Sequence, residues 1–135
     1  MPVSVSNPEG LAQPPAGVYH HVAVATGSRQ VFLAGQIGTD GTGELVSADL
    51  AGQVAQAYRY VVTALSSVGA GVGDLVRLTF YVVDWSPEKF PEFMEGMQAA
   101  VTELGASGAP ASLIGVEILF QPGVLVEIEA TAVVD

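Results

Sequence analysis

The spacing of apolar residues changes several times along this chain, and each change marks an element. From Leu50 they recur at Val54, Ala57, Val61, Leu65 and Val68, the three-and-four stripe of an amphipathic helix. A cap on Ser47 or Asp49 is expected to start it, and the glycines at 69, 71 and 73 to end it. A second stripe, Phe90, Phe93, Met94, Met97, Val101 and Leu104, follows Ser86-Pro87-Glu88, which supplies a cap, a first-turn proline and an acidic start. Pro91 would cost a hydrogen bond deep in a helix, so the regular helix is expected to begin there.

Elsewhere the pattern has the period of strands. "YHHVAVA", Tyr19 to Ala25, alternates, and "VFLAGQI" beyond the turn "TGSRQ" reads as its hairpin partner. "LVRLTFYVV", Leu75 to Val83, is dense in β-branched and aromatic residues and is expected to be largely buried on both faces. "SLIGVEILF" and "VLVEIEATAVV" read as two more strands, joined across Gln121-Pro122-Gly123. The order β-β-α-β-α-β-β predicts one α+β domain over residues 1–135, a mixed sheet with two helices on one face, and residues 1–16 as a flexible lead-in. In the last strand Val124, Val126, Ile128 and Ala130 point one way, and Leu125, Glu127, Glu129 and Thr131 the other. If the first set meets the helices, the second lies on a face that a single chain has nothing left to cover.

Composition sharpens that picture. Half of the 135 residues are hydrophobic and only 13% are charged, so a partly apolar surface is expected, and a homo-oligomer would bury it. No apolar run approaches the ~18 residues of a membrane span, so no membrane partner is expected. Four Lys and Arg against fourteen Asp and Glu give a net charge of −10, which repels a phosphate backbone. Nucleic acid is therefore an unexpected partner, and a ribonuclease role is disfavoured. The absence of cysteine excludes disulfides, thiolate nucleophiles and cysteine-ligated metals. The N-terminal stretch has neither the basic start nor the apolar segment of a signal peptide, which makes a cytoplasmic location the expectation.

Few residues suggest chemistry by themselves. Glu127 and Glu129 admit two readings: a solvated sheet surface on which Arg77 pairs with one of them, or a carboxylate in a cleft, desolvated and able to act as a general base. Spacing does not separate the two. Neighbouring strand residues point to opposite faces, so His20 and His21 read as ordinary, partly exposed histidines that do not share a metal. "GTDGTGE" has no Walker lysine and reads as a surface turn, Met94 and Met97 read as core, and no serine sits in a G-x-S-x-G elbow.

Four stretches, "AGQIGTDGTGELV", "VGDLVRLTFYVVD", "GAPAS" and "PGVLVEIEATAV", make the chain resemble the Rid family of reactive-intermediate deaminases (YjgF/YER057c/UK114) from about Gly17 to Val134. The resemblance implies a chorismate-mutase-like fold assembled as a homotrimer, with a central barrel of sheets and small-molecule clefts between subunits. It also implies hydrolysis of 2-imino acids and their enamine precursors to 2-keto acids and ammonia, with no metal or organic cofactor. Glu127 matches the family's water-orienting glutamate, and Tyr19 its first-strand tyrosine. Gly35, in Ala34-Gly35-Gln36, matches the glycine of its Ser-Gly-Gln motif.

One match fails. The family's substrate-gripping arginine follows a proline-alanine pair, and here Pro110-Ala111 is followed by Ser112; the cysteine two places further on is Ile114. Losing both charge-assisted hydrogen bonds of a guanidinium-carboxylate pair would cost about two to four powers of ten in binding or turnover. None of Arg29, Arg59 and Arg77 is placed by sequence to substitute, and the family's second-helix asparagine has no clear counterpart near Met94. Two functions are expected from this. The first is hydrolysis, with Glu127 catalytic and Tyr19, Gly35, Ser112 and Ile114 binding the substrate, of an imine or enamine other than a 2-imino acid. The alternative is a non-catalytic, small-molecule-binding or pathway accessory trimer.

Overall fold

The computed structural model describes residues 3–15 and 17–135. Seven strands and two α-helices lie among them: β1 (Val3–Ser6), β2 (Val22–Ala25), β3 (Arg29–Phe32), β4 (Gln36–Ile37), α1 (Leu50–Ser66), β5 (Leu75–Val83), α2 (Phe90–Leu104), β6 (Ala111–Val116) and β7 (Val126–Val134). Of the two expected caps of α1, Asp49 does the work, its carboxylate accepting from Gly52 N at 2.7 Å, while Ser47 Oγ accepts from Asp49 N at 3.1 Å. A single 3-10 turn, Pro87–Lys89, leads into α2, and Pro91 falls in the first turn, where its missing N–H breaks no bond.

The main sheet runs β3-β7-β5-β6, with β4 also paired to β7. β5 and β6 are parallel and the other pairings antiparallel. On one face, Leu78, Phe80 and Val82 of β5 and Val126, Ile128, Ala130 and Ala132 of β7 are buried against Val54, Val61 and Phe93 of the helices. Phe80 meets Phe93 edge to face, with ring centroids 5.1 Å apart. Each such apolar side chain stabilises the fold by roughly 1.5–3 kcal/mol. Close approach of the helices needs Gly96, where a methyl group would strike the Ala51 carbonyl and Val54.

Two polar residues are buried in the stripe of α1, and both are satisfied. Gln53 donates through Nε2 to the carbonyls of Ser47 (3.0 Å) and Gly123 (2.9 Å), and its Oε1 accepts from Leu125 N at 2.8 Å, fastening the approach to β7. Tyr58 donates its hydroxyl to the Gly105 carbonyl at 2.7 Å, and burial pushes its phenol up to about 12.

Three local expectations give way. β2 pairs with β1 in a separate two-stranded ribbon instead of forming a hairpin with β3, which pairs with β7. Val3–Ser6 is therefore a strand within the expected 1–16 lead-in, of which positions 1, 2 and 16 lie outside the described residues. β6 stops at Val116 and is separated from β7 by β5, so Glu117 lies beyond the strand. Alternation fixes which way a strand's side chains point but says nothing of its partner.

Candidate functional site

The strand register arranges the uncovered face of the sheet in rows. Ile114, Tyr81, Glu127 and Ile37 form one row across β6, β5, β7 and β4. Ser112, Thr79 and Glu129 form the next, and Arg77, Thr131 and Phe32 a third. Side chains alternate along each strand, so these residues share the face turned away from Phe80 and Ile128. Three of the five predicted site residues, Glu127, Ser112 and Ile114, thus lie on this face, with Gly35 against it.

Glu127 and Gly35 are in direct contact. A Cβ on Gly35 would collide with the Glu127 carboxylate, so the glycine is needed for this side chain to lie across the backbone just before β4. The space beside Gly35 is thus taken up by the Glu127 side chain. Tyr81, beside Glu127 in its row, donates its hydroxyl to Glu129 Oε1 at 3.2 Å. Burial, then the charge and hydrogen bond of Glu129, raise its pKa, and Glu127 adds to the rise while Arg77 opposes it.

Arg77 does not pair with either glutamate. Among the described residues no carboxylate oxygen lies within 4.0 Å of its guanidinium. It reaches forward one row and across to the parallel neighbour, and Nη2 donates to Ser112 Oγ at 2.7 Å. Sheet spacing puts the two Cα atoms about 8 Å apart, within reach of an arginine and beyond that of a shorter side chain. Ser112, where the resemblance leads one to expect an arginine, thus has a guanidinium bonded to it from β5. Sequence reasoning placed Arg77 on the right face but could not supply the β5–β6 register, Thr79 opposite Ser112, that brings them together.

Tyr19 lies on none of these strands: it precedes β2, and its ring packs edge to face on His21, centroids 5.5 Å apart. The two histidines diverge as expected. His20 Nδ1 donates to the Gly108 carbonyl (2.7 Å) and His21 Nε2 to the Ala12 carbonyl (2.6 Å), which ties the N-terminal segment and the loop before β6 to the start of β2. In the glycine-rich loop the Asp40 carboxylate accepts from the Thr42 hydroxyl at 2.6 Å and backbone at 2.8 Å, and from Glu44 N at 3.1 Å. The Thr42 hydroxyl bond is the main reason its pKa is lowered, and the loop is a self-satisfied turn. Among the described residues no group of three or more His, Asp or Glu is placed to hold a metal. A cavity of about 300 Å³ opens on the other side of the sheet, lined mainly by apolar groups including Phe80, Met94, Met97 and Ala111. None of the five predicted site residues lines it.

Residues 10–134 match the family described as Endoribonuclease L-PSP. A RutC family protein from Pyrococcus abyssi is 32% identical over 123 residues, 90% of each chain. YyfB of Yersinia pestis, a protein of the conserved Rid family, is 35% identical and superposes with a TM-score of 0.89 over 99% of this chain and 100% of its own. The chain belongs to the Rid family. YjgF of E. coli is 29% identical with a TM-score of 0.68, covering 96% of this chain and 98% of its own. Two helices on a mixed sheet are accordingly the chorismate-mutase-like fold of Rid proteins.

Proposed function

We propose that this Rid protein is a homotrimer with small-molecule clefts between subunits, in which Glu127 orients water for hydrolysis of a reactive imine or enamine. The observation that carries the reading is the Glu127 carboxylate lying across Gly35 on a sheet face that the chain's own helices leave open. Assembly is supported by the apolar groups on and beside that face: Phe32 is 72% exposed and Ile114 44%, and Ile118 and Phe120 just beyond β6 are 71% and 86% exposed. E. coli TdcF, 28% identical with a TM-score of 0.69 and covering 97% of this chain, has been solved with bound serine, and a ligand of similar size suits an intersubunit cleft here.

The chemistry asks little of the protein. Glu127 accepts a proton from water as the water oxygen adds to the C=N carbon. Starting from the protonated imine, the carbinolamine nitrogen takes that proton back from Glu127, the C–N bond breaks with its electron pair leaving on nitrogen as the hydroxyl proton passes to the carboxylate, and a carbonyl compound and ammonia or an amine remain. An enamine enters by protonation at carbon to give the iminium first. In this reading Ile114, half exposed on the same face, supplies an apolar wall, and Tyr19 has the cleft-closing role that the Rid resemblance implies.

Imines without a carboxylate, generated in situ by an amine oxidase and trapped in parallel with semicarbazide, measure the activity. Wild-type protein is expected to shorten the lifetime of the imine, and Glu127→Gln to lose that acceleration by about a hundredfold or more, the usual range for a general base. Acceleration unchanged in the variant would remove Glu127 from the mechanism. Ligand binding with no acceleration in either protein would select the second reading, a non-catalytic binder, which the replacement of the family's arginine by Ser112 favours.

A further inference from the structure

We infer that Arg77, positioned by the Ser112 hydroxyl, is the anchor for an acidic group on the ligand, so that this cleft takes an anion although it lacks the family's arginine. The inference rests on the cleft described above but not on the hydrolysis.

Four cations are available to the whole chain, and three are committed elsewhere. Arg59 pairs with Glu103 at 3.1 Å, Lys89 pairs with Asp84 at 3.6 Å, and Arg29 Nε donates to the Asp135 carbonyl at 3.0 Å. Arg29 and Arg77 both lack a carboxylate within 4.0 Å among the described residues, but Arg77 lies on the open face, with a neutral hydroxyl as its partner. That is unexpected on a face carrying two glutamates in a chain of net charge −10, where an exposed guanidinium has carboxylates to choose from. Glu129 is instead bonded by Tyr81, and Glu127 lies over Gly35. The positive charge is left uncompensated at close range.

Ser112 completes the anchor. Its oxygen accepts from Nη2, which leaves its own O–H free to donate, and the guanidinium retains further N–H groups beyond the one directed at Ser112. Both residues therefore present donors at one spot. A carboxylate, with two oxygens and no donors, fits such a pair by charge and by hydrogen bonding, whereas an ester or amide of the same shape gains only the hydrogen bonds. The expectation of a neutral ligand followed from Ser112 standing alone. With a guanidinium bonded to it, the position is cationic.

The probes are pyruvate and its uncharged counterpart methyl pyruvate, with binding measured by calorimetry or by the fluorescence of Trp85 on the intact assembly. Wild-type protein is expected to bind pyruvate at least about tenfold more tightly than methyl pyruvate, and Arg77→Met to abolish that preference. A loss of about ten- to a hundredfold in pyruvate affinity is the range for one charge-assisted hydrogen bond. Arg77→Lys keeps the charge and is expected to retain part of the preference. Ser112→Ala should reduce the preference and Ser112→Thr restore it, a rescue that a merely structural serine would not give. Failure of wild type to bind pyruvate, equal binding of the two probes, or pyruvate binding indifferent to Arg77→Met would each overturn the anchor. The two proposals fail separately: Arg77-dependent pyruvate binding in a protein that hydrolyses no imine leaves the anchor standing and removes the hydrolysis.

Discussion

The two faces of the main sheet are built from the same strands and differ in almost every property. Beneath the helices, β5 and β7 contribute Phe80, Val82, Ile128 and Ala130, all buried and apolar. One residue along each strand, the opposite face holds Arg77, Tyr81, Glu127 and Glu129. A period of two thus divides the work cleanly: one face pays for folding, and the other is free to carry polar groups because it contributes little to the core. Chemistry-bearing residues in this chain are accordingly found by phase along the strand and not by proximity in sequence.

Substitutions can break or sharpen that comparison. The largest effect is expected at Ile128, fully buried between the carboxylates of its strand neighbours Glu127 and Glu129 in sequence but facing the helices. Ile128→Ala should lower stability by about 2–5 kcal/mol, read from urea denaturation, while leaving the rows of the open face in place. A loss under 1 kcal/mol would show, on the same scale, that the helix-covered face is not the load carrier. Gly35→Ala should do the reverse. The added methyl group displaces the mobile end of a side chain, so stability is expected to change by less than about 1 kcal/mol. Hydrolysis should fall by about a hundredfold as the Glu127 carboxylate swings away. Intact turnover in a folded Gly35→Ala protein would mean that the contact between Gly35 and Glu127 has no part in positioning the carboxylate.

The sequence made the helices and the faces legible, because both follow from local spacing. The stripe from Leu50 to Leu65 became α1, Pro91 marked the first turn of α2, and the alternation at Glu127 and Ile128 correctly separated open from covered positions. Partners were not legible. "VAVA" was readable as a strand, but its pairing with "VSVS" near the N-terminus, in place of the nearby "RQVF", depends on contacts that no local pattern encodes. Gln53 was hidden for a related reason: a glutamine beside Val54 looks like the polar margin of a helix until Ser47, Gly123 and Leu125 surround it. The site divided in the same way. Glu127, Gly35 and Ser112 were singled out by motif, whereas the guanidinium at Ser112 appears only when β6 is laid parallel to β5.

Everything proposed for the open face requires that another copy of the chain complete it. Light scattering on the purified protein at micromolar concentration tests this most directly. The account predicts a mass three times that of the 13.8 kDa chain. A particle of 13.8 kDa, with Phe32 and Ile114 still facing water, would contradict it and remove the intersubunit cleft together with the chemistry assigned to it.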